Sequence, residues 1–130
     1  MSTKSLVAII DDDESCRAAT TDLVKSLGFA VQDFPSALDF LASPHLHSTA
    51  CLITDINMPR MTGIELYSHL VKSGYRVPTI LLTAYPDDSV RAHALAQGVI
   101  CYLTKPCDDD HLLECVQACV RATLKQAGAN

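Results

Sequence analysis

Short apolar runs alternate along this chain with longer stretches in which apolar residues recur at helical spacing. The runs are four to six residues long and mostly apolar, which is typical of strands buried on both faces of a sheet. This pattern predicts five strands, at residues 6–10, 29–34, 50–53, 77–82 and 99–103.

A predicted helix follows each strand, and residues that favour helix ends mark several boundaries. Ser36 and either Asp87 or Asp88 are predicted N-caps, while Gly28 and Gly98 are predicted stops. The predicted helices cover approximately residues 14–27, 36–41, 64–74, 87–97 and 108–120, and polar loops are predicted at residues 43–49 and 57–63.

The strand and helix therefore alternate five times, as (βα)5, within 130 residues. Strands that alternate with helices form parallel sheets with right-handed crossovers. The sequence predicts an α/β fold, a doubly wound three-layer sandwich with helices on both faces of a five-stranded parallel sheet. A length of 130 residues is typical of one domain.

Polar residues terminate four of the five predicted strands. The first strand ends in four consecutive acids, Asp11 to Glu14, and the third ends in Asp55. Thr83 follows the fourth strand and Lys105 follows the fifth. Because the carboxyl ends of parallel strands share one edge of a sheet, these side chains are expected to meet there. Carboxylates with a Lys and a Thr are suited to Mg²⁺ and a phosphoryl group.

Simpler structural roles explain only part of this group. Asp13 or Glu14 is expected to cap or begin the first helix. Asp55 has no helix directly after it, since Pro59 and Gly63 intervene, so a capping role does not explain it. A carboxylate in its position can act as a nucleophile and form an aspartyl phosphate.

Charge and hydropathy exclude several other functions. Ten basic residues against fifteen acidic ones give a net charge of −5, which argues against direct nucleic-acid binding. No apolar run reaches the length of a membrane span, and the N-terminus lacks the features of a signal peptide. A cytoplasmic location without membrane contact is therefore expected.

Six cysteines stand at positions 16, 51, 101, 107, 115 and 119, and none forms a C-x-x-C pair or has zinc-finger spacing. Cys115 and Cys119 share a predicted helical stripe, and Cys51 and Cys101 lie in apolar runs. We expect all six to be reduced and structural, as is usual in the cytosol.

Four motifs resemble the receiver domain of two-component response regulators: VAIIDDDE, CLITDINMPRMTG, TILLTAY and CYLTKPCDD. They stand in the order and spacing of that family, and the resemblance covers residues 5–122. The phrases IIDDDESCR, GFAVQDFPSALDFL and LTKPCDDDHLLE are similar to the FixJ-like branch. The resemblance implies a CheY-like sheet with strand order 2-1-3-4-5.

The resemblance also implies a role for each polar residue at the strand ends. Asp55 would accept a phosphoryl group from a phosphohistidine of a sensor histidine kinase. Asp11, Asp12 and Asp55, with the backbone carbonyl of Asn57, would bind Mg²⁺ or Mn²⁺. Thr83 and Lys105 would contact the phosphoryl oxygens.

A conformational switch is implied as well. Lys105 and Pro106 would be joined by a cis peptide bond, as the chemistry of proline permits. Tyr102 would turn inward when Thr83 moves toward the phosphoryl group. The responding face would comprise the fourth helix, fifth strand and fifth helix, at residues 90–94, 101–103 and 108–112, and could support a phosphorylation-dependent homodimer.

The expected organisation is a receiver domain at residues 1–124 with a short C-terminal tail at residues 125–130. No output domain is expected in this sequence, so control of transcription would need another domain or a partner. The chain is expected to be a signalling phosphoacceptor that catalyses only its own phosphotransfer and autodephosphorylation.

Two positions suggest more specific hypotheses. Cys107 stands where the family usually has an aromatic residue after Lys-Pro, and it is interpreted as a smaller packing residue, with a redox sensor as the alternative. Tyr85 lies two residues after Thr83, where bulk would hinder the hydrolytic water and lengthen the life of the acyl phosphate.

Two other functions remain as alternatives. A haloacid-dehalogenase-type phosphatase would use Asp11 and Asp13 in an Asp-x-Asp pattern together with Thr83 and Lys105. That alternative leaves Asp55 unused and lacks a further strand after Lys105. The second alternative is a pseudo-receiver, a domain of this fold that binds partners without being phosphorylated. The presence of the acid pair, Asp55, Thr83 and Lys105 argues against it.

Overall fold

Five strands and five α-helices alternate in a computed structural model that describes residues 5–128. The strands are β1 Leu6–Ile10, β2 Ala30–Phe34, β3 Thr49–Asp55, β4 Thr79–Thr83 and β5 Cys101–Thr104. The helices are α1 Glu14–Ser26, α2 Ala37–Leu41, α3 Gly63–Lys72, α4 Asp88–Gln97 and α5 Asp109–Gly128, with a 3₁₀ turn at Leu46–Ser48.

All strand pairs are parallel, and the sheet order is β2-β1-β3-β4-β5. The predicted fold is therefore confirmed, including the strand order that the resemblance implied. The order reverses at β1, which lies between β2 and β3. Ligands of such sheets bind beside this reversal at the carboxyl ends of the strands.

Successive residues of each central strand point to opposite faces, and both faces are buried. Along β1, Val7 and Ile9 pack on the side of α1 and α5, whereas Ala8 and Ile10 pack on the side of α2 and α3. A third cluster places Leu81 of β4 against α4. This burial on both faces explains why the strands are apolar runs rather than alternating patterns.

Side chains and glycine end the helices largely where the sequence predicts. Asp13, Ser36 and Asp87 each accept a backbone hydrogen bond at an N-terminus, which selects Asp13 over Glu14 and Asp87 over Asp88. Gly98 ends α4 with a φ of 114°, a left-handed conformation that glycine adopts without penalty. Thr62 begins α3 with a capping box.

Some boundaries differ from the prediction. β3 is longer at both ends because pairing with β1 and β4 extends the ladder to Thr49 and Asp55. The 3₁₀ turn lies within the loop predicted at residues 43–49. α5 continues to Gly128, so the predicted tail begins inside this helix, and residues 129–130 lie outside the described part. Among the described residues, no helix combines the length and the apolar character needed to cross a membrane.

The prediction that all six cysteines are reduced is wrong for two of them. Cys101 of β5 and Cys115 of α5 are paired as a disulfide, with Cα atoms 6.3 Å apart. This separation is within the range that a disulfide bridges. The packing of α5 against β5 brings the two together, whereas their spacing of 14 residues gave no sequence signal. The remaining four cysteines are free.

Gly63 begins α3 directly against the end of β3. A Cβ atom there would lie 2.5 Å from the backbone oxygen of Asp55. Only glycine permits this approach without displacing the backbone that carries the Asp55 carboxylate.

We expect Gly63→Ala to lower the free energy of unfolding by about 1–3 kcal/mol, the usual cost of overpacking. Urea denaturation measures this change. Gly28→Ala is the matched control, since a Cβ at Gly28 meets open space and only its φ of 97° opposes the substitution, at about 1 kcal/mol. Unchanged stability of Gly63→Ala would contradict the steric explanation.

Candidate functional site

The carboxyl ends of three strands bring Asp11, Asp55 and Lys105 together, as the sequence predicts. Lys105 Nζ lies 2.8 Å from Asp11 Oδ2 and 3.1 Å from Asp55 Oδ1. Both carboxylates are buried, whereas Asp12 is exposed at the rim. One ammonium group therefore bridges two buried carboxylates.

Asp11, Asp12 and Asp55 form a group of oxygen ligands suited to a divalent cation. One carboxylate oxygen from each lies within 4.8 Å of the others. With Lys105 as the counter-charge, three carboxylates leave two negative charges uncompensated. A hard dication such as Mg²⁺ or Mn²⁺ matches both the oxygen donors and this charge. The residues present therefore fit such an ion.

Burial and the ammonium group act on Asp55 in opposite directions. Burial raises the pKa of the Asp55 carboxyl, and the hydrogen bond and charge of Lys105 only partly oppose this rise. Burial lowers the pKa of the Lys105 ammonium group. The hydrogen bonds and charges of Asp11 and Asp55 raise this pKa by more, so it lies above its ordinary value. The ammonium group thus stays charged while the Asp55 carboxylate is costly to keep ionised.

Backbone and side-chain hydrogen bonds hold Asp11 in place. Asp13 N–H donates to Asp11 Oδ1 at 2.9 Å. Arg17 Nη1 donates to the backbone oxygen of Asp11 at 2.8 Å, and Arg17 Nε pairs with Asp33 Oδ2 at 3.1 Å. Sequence reasoning missed Arg17. The only available signal was indirect: strand order 2-1-3-4-5 sets the end of β2, with Asp33, beside the start of α1.

Thr83 and Tyr102 hold the two ends of the loop between β4 and α4. Thr83 is buried, and its Oγ1 accepts a hydrogen bond from Tyr85 N–H at 3.0 Å. Tyr102 Oη accepts from Asp87 N–H at 3.1 Å. Tyr102 is half-buried and packs against the cluster beside α4, away from the acidic group. The two residues are thus linked through the loop at residues 84–87.

The other predicted residues occupy the rim. The side chain of Asn57 is exposed, two residues beyond Asp55. The peptide bond between Lys105 and Pro106 is cis, the isomer that the resemblance implies. Tyr85 is 75% exposed.

An apolar pocket of about 630 Å³ lies beside Lys105, between α1 and α5. Its lining includes the free cysteines Cys16 and Cys107. Burial raises the pKa of the Cys107 thiol, and this side chain packs against the core on the side of α1 and α5. These features favour the packing role for Cys107, and its redox role remains a hypothesis.

Comparison with protein families agrees with the resemblance. The sequence model described as "Response regulator receiver domain" matches residues 7–117.

Two relatives come from Bradyrhizobium diazoefficiens. Nodulation protein W is 32% identical over 128 residues, covering 98% of this chain and 56% of that protein. The transcriptional regulatory protein FixJ is 34% identical over 122 residues, covering 93% of this chain and 59% of that protein. The chain therefore spans somewhat more than half the length of these relatives. The crystal structure of FixJ-N superposes with a TM-score of 0.82 at 30% identity, covering 92% of this chain and 96% of that structure.

The raised pKa of Asp55 predicts how stability depends on this carboxylate. The ionised form is less favourable in the folded than in the unfolded chain, so we expect metal-free Asp55→Asn to unfold at higher urea concentration at pH 7. The gain in the free energy of unfolding is complete at pH values above the pKa of Asp55 in the folded chain. It disappears as the pH falls toward 3.8, the ordinary pKa of an aspartic acid side chain.

Urea denaturation with chelator at several pH values measures this dependence. Asp22→Asn, which removes an exposed carboxylate of α1, serves as the control. A lower unfolding midpoint for Asp55→Asn at pH 7 would contradict the prediction.

Proposed function

Because this chain belongs to the response regulator receiver domain family, we propose that it accepts a phosphoryl group on Asp55 from a phosphohistidine of a sensor histidine kinase. One observation carries the proposal: the buried Asp55 carboxylate lies at the carboxyl end of the sheet, ion-paired with Lys105 and beside two further acids. In this role the chain is a signalling phosphoacceptor rather than an enzyme that turns over substrate.

The transfer needs a nucleophile and groups that stabilise charge on the phosphoryl oxygens. A carboxylate oxygen of Asp55 forms the new O–P bond while the P–N bond to the donor imidazole breaks. The electron pair of that bond stays on the imidazole nitrogen, which takes up a proton from solvent. Lys105, already 3.1 Å from Asp55, compensates negative charge on the transferred group. Thr83 supplies a hydroxyl donor from the end of the neighbouring strand.

Asp11, Asp12, Asp55 and the backbone carbonyl of Asn57 would hold the metal ion. A bound Mg²⁺ supplies charge neutralisation for the phosphoryl oxygens. Asp11 is already oriented by Asp13 N–H and by Lys105, so it provides a fixed acceptor, whereas exposed Asp12 faces the solvent from which an ion arrives. The same oxygen set suits Mn²⁺.

Phosphorylation would act on the loop that Thr83 and Tyr102 hold. When the Thr83 hydroxyl turns to donate to a phosphoryl oxygen, Tyr85 N–H loses its acceptor. The freed loop then shifts at Asp87, and Tyr102 exchanges its hydrogen bond there for an inward position. The change biases an existing equilibrium at the face formed by α4, β5 and α5.

The wider function follows from the relatives' extra length. We propose that the receiver domain spans residues 1–124 together with the end of α5, which continues to Gly128. We propose further that it acts in the cytoplasm and controls transcription through an output domain or partner. A phosphorylation-dependent homodimer through α4, β5 and α5 would transmit the signal. The net charge of −5 argues against direct nucleic-acid contact by this chain.

The test is intact-protein mass after incubation with acetyl phosphate, with and without Mg²⁺. We expect one added phosphoryl group that needs Mg²⁺ and is absent in Asp55→Asn. Thr83→Ala and Lys105→Gln should slow its formation by about 10-fold or more, the size of effect expected for a lost charge-stabilising donor. Asp22→Asn, which removes an exposed carboxylate of α1, is a carboxylate control outside the acidic group.

Other outcomes select the alternatives. An adduct that persists in Asp55→Asn but disappears in Asp11→Asn would favour the phosphatase. Failure of wild type to bind both acetyl phosphate and beryllium fluoride would favour a pseudo-receiver.

Tyr85 provides a separate prediction about autodephosphorylation. Tyr85 lies two residues after Thr83, its backbone N–H donates to Thr83 Oγ1, and its side chain is 75% exposed. In the proposed role its bulk hinders the hydrolytic water, and removing that bulk would admit the water more freely. We expect Tyr85→Ala to shorten the half-life of phosphorylated protein severalfold, measured by loss of the adduct after removal of acetyl phosphate. Tyr85→Phe retains the bulk and should decay like wild type. Equal half-lives for Ala and wild type would count against shielding.

A further inference from the structure

The disulfide between Cys101 and Cys115 joins the outer strand to the last helix. Cys101 lies on β5 and Cys115 on the second turn of α5, with Cα atoms 6.3 Å apart. Leu112 and Val116, on either side of Cys115, are buried in the core beneath α5. This packing holds the helix in register with β5 and places Cys115 opposite Cys101.

We propose that Cys101 and Cys115 are a reversible redox modification site, opened and closed by small cellular thiols and their disulfides. In the cytoplasm, where we place this chain, disulfides are typically transient and redox-sensing rather than permanent. The pairing of these two cysteines thus points to a regulated bond.

A surface pocket gives a small thiol access to the bond. The pocket has a volume of about 370 Å³, and both cysteines line it together with His111, Glu114 and Arg121. Cys101 is half-buried, whereas Cys115 is only 3% exposed. An attacking thiolate therefore reaches Cys101 Sγ first. The exposed Arg121 guanidinium lines the pocket and would attract an anionic thiol such as glutathione, an attraction that the Glu114 carboxylate in the same lining opposes.

The exchange proceeds in two balanced steps. A glutathione thiolate attacks Cys101 Sγ, the Cys101–Cys115 bond breaks, and Cys115 leaves as a thiolate that takes up a proton. A second glutathione thiolate then attacks the glutathione sulfur of the mixed disulfide and releases Cys101. Two glutathione molecules are oxidised to one glutathione disulfide, and the protein disulfide is reduced to two thiols. Oxidation is the reverse reaction, with glutathione disulfide accepting the two electrons.

Neighbouring thiols are poorly placed to compete. Cys119 lies one turn beyond Cys115 and is completely buried, as is Cys51 opposite it. Burial, with a hydrogen bond to Cys119, raises the pKa of Cys51 well above its ordinary value, so it remains a thiol rather than the reactive thiolate. Cys16 and Cys107 line the separate pocket beside Lys105.

The bond lies on the opposite face of β5 from Tyr102. Cys101 packs toward α5, and the next residue, Tyr102, packs toward α4 and binds Asp87 N–H. Oxidation therefore restrains the strand that carries Tyr102 by tying it to α5. The regulatory meaning of this restraint and the cytoplasmic setting that makes the bond reversible rest on the proposed function, whereas the pairing of the two cysteines and the pocket beside them do not.

The first test counts thiols by mass after denaturation and alkylation with N-ethylmaleimide. We expect four adducts after equilibration with excess glutathione disulfide and six after excess glutathione, with peptide mapping assigning the difference to Cys101 and Cys115. Cys16→Ser should lose one adduct in each state and keep the difference of two. Cys101→Ser, at a half-buried position, should give five adducts in both states. Six adducts for wild type in both states would overturn the proposal.

The second test examines the access route. Arg121→Gln should slow native-state reduction by glutathione on the order of threefold, and should leave reduction by uncharged mercaptoethanol unchanged. Equal slowing with both thiols, or none with either, would contradict entry beside Arg121.

The third test measures hydrogen exchange of unphosphorylated protein in the two redox states. Amides of β5 and the first half of α5 should exchange about fivefold or more slowly in the oxidised form, while β1 and β2 stay unchanged. Equal exchange would overturn the restraint. None of these measurements needs a phosphoryl group on Asp55, so failure of phosphorylation would be recognised separately.

Discussion

The bridge from Lys105 to Asp11 and Asp55 is the contact on which the site depends. β3 and β4 lie between β1 and β5 in the sheet, yet the ammonium group that follows β5 reaches the carboxylates of both β1 and β3. The buried carboxylates of Asp11 and Asp55 have oxygen atoms within 4.8 Å of each other, and without a counter-charge they would repel each other strongly. Lys105 therefore fixes the ends of non-adjacent strands relative to one another and leaves a negative site of defined charge.

The same edge of the sheet explains why so much of the site could be predicted from the sequence. Both faces of the sheet are buried, so its strands are apolar, and a polar residue at a strand end is conspicuous. Asp11, Asp55, Thr83 and Lys105 all appear in this way. Chain order alone places them at one edge, because every strand runs in the same direction. The observed ends of β3, at Thr49 and Asp55, depend on its pairing with β1 and β4 rather than on the strand propensity of its residues.

Contacts between elements distant in sequence could not be predicted in the same way. Arg17 reaches Asp33 only because β2 lies beside β1, and Cys101 reaches Cys115 only because α5 packs across β5. Tyr102 binds the start of α4 through a backbone amide, which has no residue signature at all. Each depends on the packed arrangement and on distances of a few ångströms, which periodicity does not encode.

The two outer strands of the sheet limit how copies of this chain associate. β2 has five residues and β5 only four, and each exposes few unpaired backbone groups along its free edge. The exposed Asp33 adds charge to the edge at β2. Short, charged edges resist the strand-to-strand pairing that leads to aggregation. The homodimer proposed through α4, β5 and α5 would therefore rely on side-chain contacts, which form and separate reversibly, rather than on strand-to-strand pairing.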